Sequence, residues 1–344
     1  LNIIGLLPID LQSFLKNQGE PGYRAKQIAN WVYKKKVTNW DDMKNLPQSL
    51  REQLSGQYKL GQGNIETKSI SSDGTTKYFF RLVDGNGIEI VVIPHHQRMT
   101  ICLSTQVGCP VGCIFCATGQ GGFTRNLTYQ EIVESAWKVE VESGFNIQNI
   151  VFMGMGEPLL NYAQLSKAIY VFHAIDGFHI GSRHMTVSTI GIPDKIMRLA
   201  EEWPQVNLAV SLHAPKNDLR KRLIPINDVY PLSQLMKTIE HYIALTNRRV
   251  TIEYSLWADM NDQREYAFQL ASLLRGLLVH VNLIPGNPIS QCHLVPSSPA
   301  RVITFARILE ENKIQVTIRE PRGQDIEAAC GELHGLHHKR GVVG

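Results

Sequence analysis

The sequence lacks the features that would place it outside the ordinary globular proteins. No apolar run approaches the ~20 residues that a membrane-spanning helix needs, and the longest, at 88–94, is interrupted by Glu89. The first residues lack the basic stretch and the cleavage site of a signal peptide. Charged residues make up 19% and hydrophobic residues 43%, a composition without a disorder signature. We therefore expect a cytoplasmic protein with no membrane association.

A large charge of either sign is also missing, since the formal net charge is +4. Basic residues lie in short clusters at 34–36, 220–222, 248–249 and 337–340. Any one of these clusters is typical of a solvated face. Together they weakly favour a nucleic-acid partner, because Lys and Arg bind phosphate groups.

Cysteine is scarce, and most of it is concentrated in one short stretch. The residues are Cys102, Cys109, Cys113, Cys116, Cys292 and Cys330. In an intracellular protein such a dense grouping indicates metal or redox chemistry rather than a disulfide framework.

Residues 1–95 are predicted to form a small accessory domain, with a helical part followed by a β part. Apolar residues recur at helical spacing up to about residue 55, and Asp10 is a candidate N-cap of the first helix. Alternating polarity at 76–82 and 88–93, with Gly-containing turns around these segments, indicates antiparallel strands.

From residue 96 to residue 335 short apolar strands alternate with helices. The predicted strands are 99–105, 149–153, 184–189, 206–212, 250–256, 279–284 and 315–319. The predicted helices are 129–143, 162–173, 194–202, 231–244, 262–274 and 299–312. This alternation predicts an α/β fold with a parallel sheet, here a partial (β/α)6 TIM-like barrel. Residues 336–344 follow as a basic tail.

Polar and unusual residues follow the predicted strands in turn. They are Cys109 after the first strand, the segment 154–158 after the second, Ser188 on the third, Ser211 and His213 on the fourth and Asn287 after the sixth. In barrels of this kind the functional groups lie at the C-terminal ends of the strands. We therefore expect these residues to meet at one mouth.

Cys109, Cys113 and Cys116 have Cys-x3-Cys-x2-Cys spacing in a Gly-containing loop after a strand. Iron–sulfur clusters are held by thiolates, and three thiolates on one loop leave the fourth iron of a [4Fe–4S] cubane open. An open iron can chelate the amino and carboxylate groups of S-adenosylmethionine (SAM). Phe115 precedes the last cysteine and is expected to lie against the cofactor.

Structural zinc is the alternative for these cysteines. Zinc needs a fourth ligand, which Cys102, Cys330 or His213 can supply. The spacing differs from the paired Cys-x2-Cys knuckles of common zinc sites, and the sequence has no second cysteine pair of that kind. The residues therefore favour the iron–sulfur cluster without excluding zinc.

A glycine motif, Gly154-Met155-Gly156-Glu157-Pro158, follows the next apolar strand. Glycine lets a backbone approach a ligand closely, and Glu157 adds charge complementarity to the ammonium group of SAM. Alone the motif fits a tight turn equally well. One βα unit after a cysteine triad, it indicates a SAM site.

In combination these motifs resemble those of the radical SAM RNA methyltransferases of the RlmN/Cfr group. The resemblance rests on 106–116, 122–127, 153–158, 211–215 and 328–331, in the same order along most of the chain. The 122–127 segment and the N-terminal region resemble the RlmN branch more than the Cfr branch. The resemblance implies methylation of carbon 2 of an adenine in 23S rRNA and of an adenine next to the anticodon in tRNA. The Cfr alternative is methylation of carbon 8 of the same rRNA adenine.

The resemblance also implies the roles of individual residues. Cys109, Cys113 and Cys116 match the cluster ligands. The positions that contact SAM match Gly156, Glu157, Ser188, Ser211, Leu212, His213 and Asn287. Cys330 matches a cysteine that becomes S-methylated, Cys102 the cysteine that later attacks it, and Glu89 a proton acceptor. Cys292 matches no such position and is interpreted as a small buried or loop thiol.

Carbon 2 of adenine is electron-poor, so it does not attack the methyl sulfonium of SAM directly. The resemblance implies a radical route in which one SAM methylates Cys330 and a second SAM is the radical source. The methyl carbon then adds to the adenine and joins protein to RNA. Loss of the carbon-2 proton to Glu89 and attack by Cys102 on the Cys330 sulfur release the product and leave a disulfide.

We expect the partners to be 23S rRNA, tRNA and an electron donor such as flavodoxin or ferredoxin, and the protein to be a monomer. RNA binding is expected to use phosphate contacts from dispersed Lys and Arg, with the target adenine unstacked into the barrel mouth. The N-terminal helices and the 337–340 cluster are the candidate RNA contacts.

Overall fold

The computed structural model describes residues 1–95, 98–289 and 292–335. The basic tail at 336–344, with its 337–340 cluster, lies outside the described residues. Across the described ranges no helix is both long and apolar enough to cross a membrane.

The chain opens with a helical part that packs against the barrel. It contains α1 (Pro8–Asn17), α2 (Tyr23–Ala29) with a π turn at Asn30–Lys34, and α3 (Gln48–Gln57). Asp10 was predicted as the N-cap of α1, and this is wrong: the helix begins earlier, because Pro8 is favourable at a first helical position. The Asp10 carboxylate instead accepts the backbone N–H of Leu7 at 2.7 Å, the second half of a capping box.

Three antiparallel strands follow, β1 (Asn64–Ile70), β2 (Thr76–Arg81) and β3 (Gly87–His95). They continue directly into the barrel sheet, because β3 also pairs antiparallel with β4 (Arg98–Cys102). The predicted boundary at residue 95 therefore falls between two strands of one ten-stranded sheet.

The rest of the chain alternates strands and helices as predicted. The elements are β5 (Gln106–Gly108), α4 (Ala117–Gln120), β6 (Phe123–Asn126), α5 (Tyr129–Ser143), β7 (Asn149–Phe152), α6 (Tyr162–His173), β8 (Met185–Thr189), α7 (Pro193–Glu202), β9 (Asn207–Ser211), α8 (Asn217–Leu223), α9 (Leu232–Thr246), β10 (Val250–Leu256), α10 (Arg264–Leu274), β11 (Val279–Pro285), α11 (Pro299–Glu311) and β12 (Gln315–Ile318). β5 and β6 form a separate antiparallel hairpin.

The strands β4, β7, β8, β9, β10, β11 and β12 run parallel in that order. Helices α5, α6, α7, α9, α10 and α11 occupy the six crossovers, which confirms the predicted partial (β/α)6 barrel and its α/β class. In the described part of the chain the antiparallel strand β3, not β12, completes the pairing of β4, so the barrel stays open.

Glu134 on α5 joins the helical part to the barrel. Its carboxylate accepts hydrogen bonds from the Asn2 side chain at 2.6 Å and from the backbone N–H of Gly63 at 2.7 Å. Trp137 on the same helix donates its indole N–H to the carbonyl of Val32 at 2.8 Å. One continuous apolar core therefore runs from the N-terminal helices to the barrel interior.

Candidate active site

A cavity of about 170 Å³ lies at the C-terminal ends of the parallel strands. The predicted site residues on its wall are Cys109, Cys113, Cys116, Gly156, Glu157, Ser188, Ser211, His213, Asn287 and Cys330. The structure thus brings loops that are far apart in sequence to one mouth, as the barrel pattern predicts. Leu212, Cys102 and Glu89 lie behind this wall.

The cysteine loop is held from two sides. The backbone N–H of Cys109 donates to the carbonyl of Gly122 at 2.8 Å, next to the β5–β6 hairpin. Ile114 donates its N–H to the carbonyl of Leu223 at the end of α8, at 3.1 Å. Gly108 precedes the first cysteine with φ +74°, and a Cβ there would lie 2.0 Å from the Gly122 oxygen. Only glycine fits this close crossing.

All six cysteines of the chain are free thiols. The pKa of Cys109 is raised to about 12, mainly by burial and in smaller part by the neighbouring Cys116. Burial raises the pKa of Cys113 well above its ordinary value, with additional contributions from Cys116 and Cys109. Such thiols ionise only when a metal stabilises their thiolates, so this donor set fits an iron–sulfur cluster.

No group of three or more His, Cys, Asp or Glu side chains within the described ranges is arranged to hold a single metal ion. Phe115 also lines the cavity, with the centroid of its ring 4.8 Å from that of the His213 ring. Its contact with the cofactor stays a prediction.

The two glycines of the glycine motif pack tightly against another segment of the chain. A Cβ on Gly154 would lie 2.8 Å from the backbone of Leu103, and a Cβ on Gly156 would lie 2.5 Å from the side chain of Gln106. The glycines therefore admit the segment that leads into the cysteine loop, a contact that the sequence did not reveal. Both oxygens of Glu157 accept backbone N–H groups, from Leu159 and Ile190, each at 2.9 Å. Burial nevertheless raises the pKa of Glu157 to about 7.

His213 adopts a left-handed backbone conformation with φ +57°. Its Nδ1 accepts the backbone N–H of Ser255 at 2.9 Å, so the ring proton is on Nε2. Burial lowers the pKa of His213 to about 3, with a smaller contribution from Arg220. The imidazole is therefore neutral at physiological pH.

The segment 319–335, here called the Cys330 segment, closes one side of the cavity. Asn287 donates its side-chain N–H to the carbonyl of Cys330 at 3.1 Å and accepts from Gln324 at 2.8 Å. Gly331 accepts the backbone N–H of Ala117 at 2.7 Å, which ties this segment to the end of the cysteine loop. Asn287 thus positions Cys330 whatever else it contacts.

Glu89 anchors the other end of the Cys330 segment. One of its oxygens accepts the backbone N–H groups of His334 at 2.7 Å and Gly335 at 3.1 Å. The other lies 3.0 Å from the Lys77 ammonium. Both oxygens are thus engaged, and the carboxylate is not on the cavity wall.

Cys102 is buried at the end of β4, close enough to Cys330 for their charges to interact. The pKa of Cys102 is raised to about 12, mainly by burial and in smaller part by Cys330, while Arg319 opposes the increase. Cys330 is solvent-accessible at the cavity, yet the surrounding protein still raises the pKa of its thiol. Leu212 is fully buried and is not on the cavity wall.

Sequence reasoning missed three charged residues here. Glu253 and Arg319 lie on the cavity wall, inside strand patterns that gave no functional signal. Arg220 was interpreted as part of a basic surface cluster, and this is wrong because it is fully buried. Its guanidinium donates to the carbonyls of Leu212 and Ser211 at 3.2 and 3.3 Å, which holds the end of β9.

A partial parallel barrel with three cysteines and a glycine motif at its mouth is the architecture of a radical SAM enzyme. Comparison with known proteins agrees: residues 103–271 match the Radical SAM superfamily. Residues 1–60 match the ribosomal RNA large subunit methyltransferase N-terminal domain. Membership of the superfamily implies a [4Fe–4S] cluster and SAM.

The chain is similar to the "Probable dual-specificity RNA methyltransferase RlmN" of Bacillus thuringiensis (strain Al Hakam) and of Bacillus anthracis (strain A0248). Each is 46% identical over 333 residues, which cover 96% of this chain and 92% of the relative. A crystal structure of a radical SAM methyltransferase from Sphaerobacter thermophilus superposes with a TM-score of 0.93 at 44% identity, covering 98% of this chain and all of that one. The chain belongs to the RlmN family of radical SAM RNA methyltransferases.

Proposed function

We propose that this enzyme methylates carbon 2 of an adenine in 23S rRNA and of an adenine next to the anticodon in tRNA. The similar Bacillus proteins are named as probable dual-specificity RNA methyltransferases. The observation that carries the mechanism is the placement of Cys330 on the cavity wall with Cys102 directly behind it. Cfr-type methylation of carbon 8 is the alternative, since the resemblance assigns it the same catalytic residues.

The residues that would hold the cofactors are those on the cavity wall. Cys109, Cys113 and Cys116 would bind the cluster, while SAM would contact Gly156, Glu157, Ser188, Ser211, His213 and Asn287 on the wall. Leu212, the remaining SAM position that the resemblance implies, is buried behind the wall. When bound, the cluster and SAM supply a methyl group and an organic radical. Glu157 offers a carboxylate for the ammonium group, and neutral His213 contributes an N–H donor.

Cys330 carries the methyl group in this proposal, because it is the cysteine outside the cluster loop that lines the cavity. One hydrogen atom of that methyl group, and one electron of the resulting adduct, would leave to the bound cofactors as its carbon bonds to adenine carbon 2, which joins protein and RNA through the Cys330 sulfur. The Cys102 thiolate would then attack this sulfur, so that a Cys102–Cys330 disulfide forms and the sulfur–carbon bond breaks with its electron pair on the carbon. That carbon would take up a proton to become the methyl group of the product, and an external dithiol would reduce the disulfide for the next cycle.

Glu89 is the proposed proton acceptor for the hydrogen on carbon 2. In the structure its carboxylate binds His334, Gly335 and Lys77. For proton uptake, the Cys330 segment therefore has to release one of these oxygens. Binding of RNA at the mouth is the event that would move this segment.

The remaining proposals concern partners. An electron donor such as flavodoxin or ferredoxin would reduce the cluster, and the protein would act as a monomer. RNA phosphates would contact dispersed Lys and Arg, including those of the N-terminal helices.

The cysteine roles are tested by two variants that are incubated anaerobically with a tRNA transcript, SAM and a reductant. Cys102→Ala is expected to accumulate a covalent protein–RNA species, because nothing attacks the Cys330 sulfur. Cys330→Ala is expected to form none, because the sulfur that carries the methyl group is missing. Denaturing gel electrophoresis separates the species, and equal amounts of free methylated RNA from both variants would show that the assignment is wrong.

A further inference from the structure

Glu253 is a buried carboxylate on β10 that none of the roles above uses. Its side chain lies on the cavity wall and the residue is 4% exposed. Oε1 accepts a hydrogen bond from the Asn282 side chain at 3.1 Å. Oε2 is buried and has no hydrogen-bond partner among the described residues. Burial raises the pKa of this carboxyl, and the nearby Arg319 opposes that increase.

The other buried glutamates in the described ranges are different. Glu89, Glu134 and Glu157 each have both carboxylate oxygens engaged. Glu140 accepts the backbone N–H of Ile147 at 2.6 Å and pairs with Lys36 at 3.0 Å. An unsatisfied buried oxygen costs about 1–3 kcal/mol, and such groups are rare in folded proteins. Glu253 is the exception, and it is a residue of the cavity wall.

The position of Glu253 indicates which ligand would donate a hydrogen bond to Oε2. In the sheet register it lies beside Ser211 of β9, on the side of the proposed SAM contacts. Its charge also acts on Cys330, the residue proposed to carry the methyl group to RNA. Both ligands present adenosine here, and adenosine carries O–H donors on ribose and an N–H donor on the base.

We propose that Glu253 is a binding residue whose free Oε2 accepts a hydrogen bond from adenosine. The donor is either a ribose hydroxyl of SAM or the exocyclic amino group of the target adenine. This inference rests on the proposed function, because it takes SAM and RNA as the ligands of the cavity. The carboxylate is kept unpaired in the protein so that the ligand completes its hydrogen bonding.

A stability measurement separates this role from a structural one. Glu253→Gln keeps the shape of the side chain and removes the unpaired charge, so the variant with reconstituted cluster and without SAM should unfold at a temperature no lower than the wild type. Glu140→Gln is the matched control, because that carboxylate is equally buried and fully bonded, and it should lower the melting temperature. A similar loss in both variants, or loss of cluster iron in Glu253→Gln, would overturn the proposal.

Binding measurements identify the donor. The dissociation constants of SAM and of a synthetic anticodon stem-loop are measured anaerobically, with adenine or purine riboside at the target position. If the donor is the ribose, Glu253→Gln weakens SAM binding about ten-fold or more, the usual effect of losing a charge-assisted hydrogen bond. If the donor is the amino group, SAM binding is unchanged and the preference for adenine over purine riboside disappears.

Unchanged SAM binding together with an unchanged adenine preference would overturn the inference. Failure of the proposed function has a different outcome. A wild-type enzyme that produces no methyladenosine, while Glu253→Gln still weakens SAM binding, would refute the reaction and leave the binding role intact.

Discussion

Two kinds of ionisable residue at the barrel mouth, the cysteines of the cluster loop and His213, are held in their uncharged forms by the protein around them. Burial raises the pKa of the Cys109 thiol to about 12 and lowers the pKa of His213 to about 3. Desolvation acts in opposite directions on these two groups because it always disfavours the charged form. The mouth is therefore suited to binding charged ligands, such as an iron–sulfur cluster or a sulfonium.

The buried His213 should make stability depend on pH. Its pKa falls from 6.5 in the unfolded chain to about 3 in the folded protein. Below pH 6.5 the unfolded state therefore binds a proton that the folded state does not, and stability falls as the pH falls. For this residue the loss between pH 7 and pH 5 is about 2 kcal/mol.

His213→Asn is the variant that tests this dependence, because Asn tolerates the left-handed backbone at this position. Urea unfolding of the protein at pH 7 and pH 5 should show a smaller pH-dependent loss in the variant than in the wild type. An identical loss in both proteins would mean that His213 is not the group that titrates.

Glu89 is expected to act as an anchor of the Cys330 segment in the absence of RNA. Glu89→Gln removes the charge that strengthens the hydrogen bonds from His334 and Gly335. We therefore expect faster hydrogen–deuterium exchange of these two amides, measured by mass spectrometry, with the amides of α9 as the internal control. Unchanged exchange at 334 and 335 would show that the anchor contributes nothing.

At the scale of elements, the loop after β7 packs closely against the segment that leads into the cysteine loop. Gly154→Ala would place a Cβ 2.8 Å from the backbone of Leu103 and Ser104. One of the two segments has to move, at a cost of about 1–3 kcal/mol. We expect lower stability and less cluster iron per chain, measured by denaturant unfolding and iron analysis.

Gly56→Ala in α3 is the matched control. A Cβ there meets nothing within 4 Å, and alanine in a helix stabilises by about 0.4–1 kcal/mol through the unfolded chain. If Gly154→Ala behaved like Gly56→Ala, the close packing of the glycine motif would have no energetic consequence.

The barrel elements could be predicted because each has its own local signal. Helix α5 begins after Thr128 with a capping box formed with Glu131, and its predicted bounds were correct. The joining of β3 to β4 had no such signal, because strand pairing depends on contacts between distant parts of the chain. The start of α1 was missed by a few residues. The sequence suggested Asp10 as the N-cap, but Asp10 is the third residue of the helix, and sequence patterns locate helix ends only to within a few residues.

At the scale of the whole molecule, the order of the motifs in the sequence predicted which residues form the site. The fold supplied the distances between these residues. The cysteine triad, the glycine motif and Cys330 were predicted from sequence to share one site, and the structure brings them to one cavity. Glu253 and Arg220 could not be found in this way. A buried charge within a strand or helix looks like any polar residue until its neighbours are known, and only the structure shows that one is unpaired and the other holds β9.

The central claim concerns the product, so the most direct measurement is nucleoside mass spectrometry of 23S rRNA and tRNA. The RNA is taken from cells that lack the gene and from the same cells with the gene restored. The account predicts that 2-methyladenosine is missing in the first and returns in both RNAs in the second. Return of 8-methyladenosine alone, or of no methyladenosine, would contradict it.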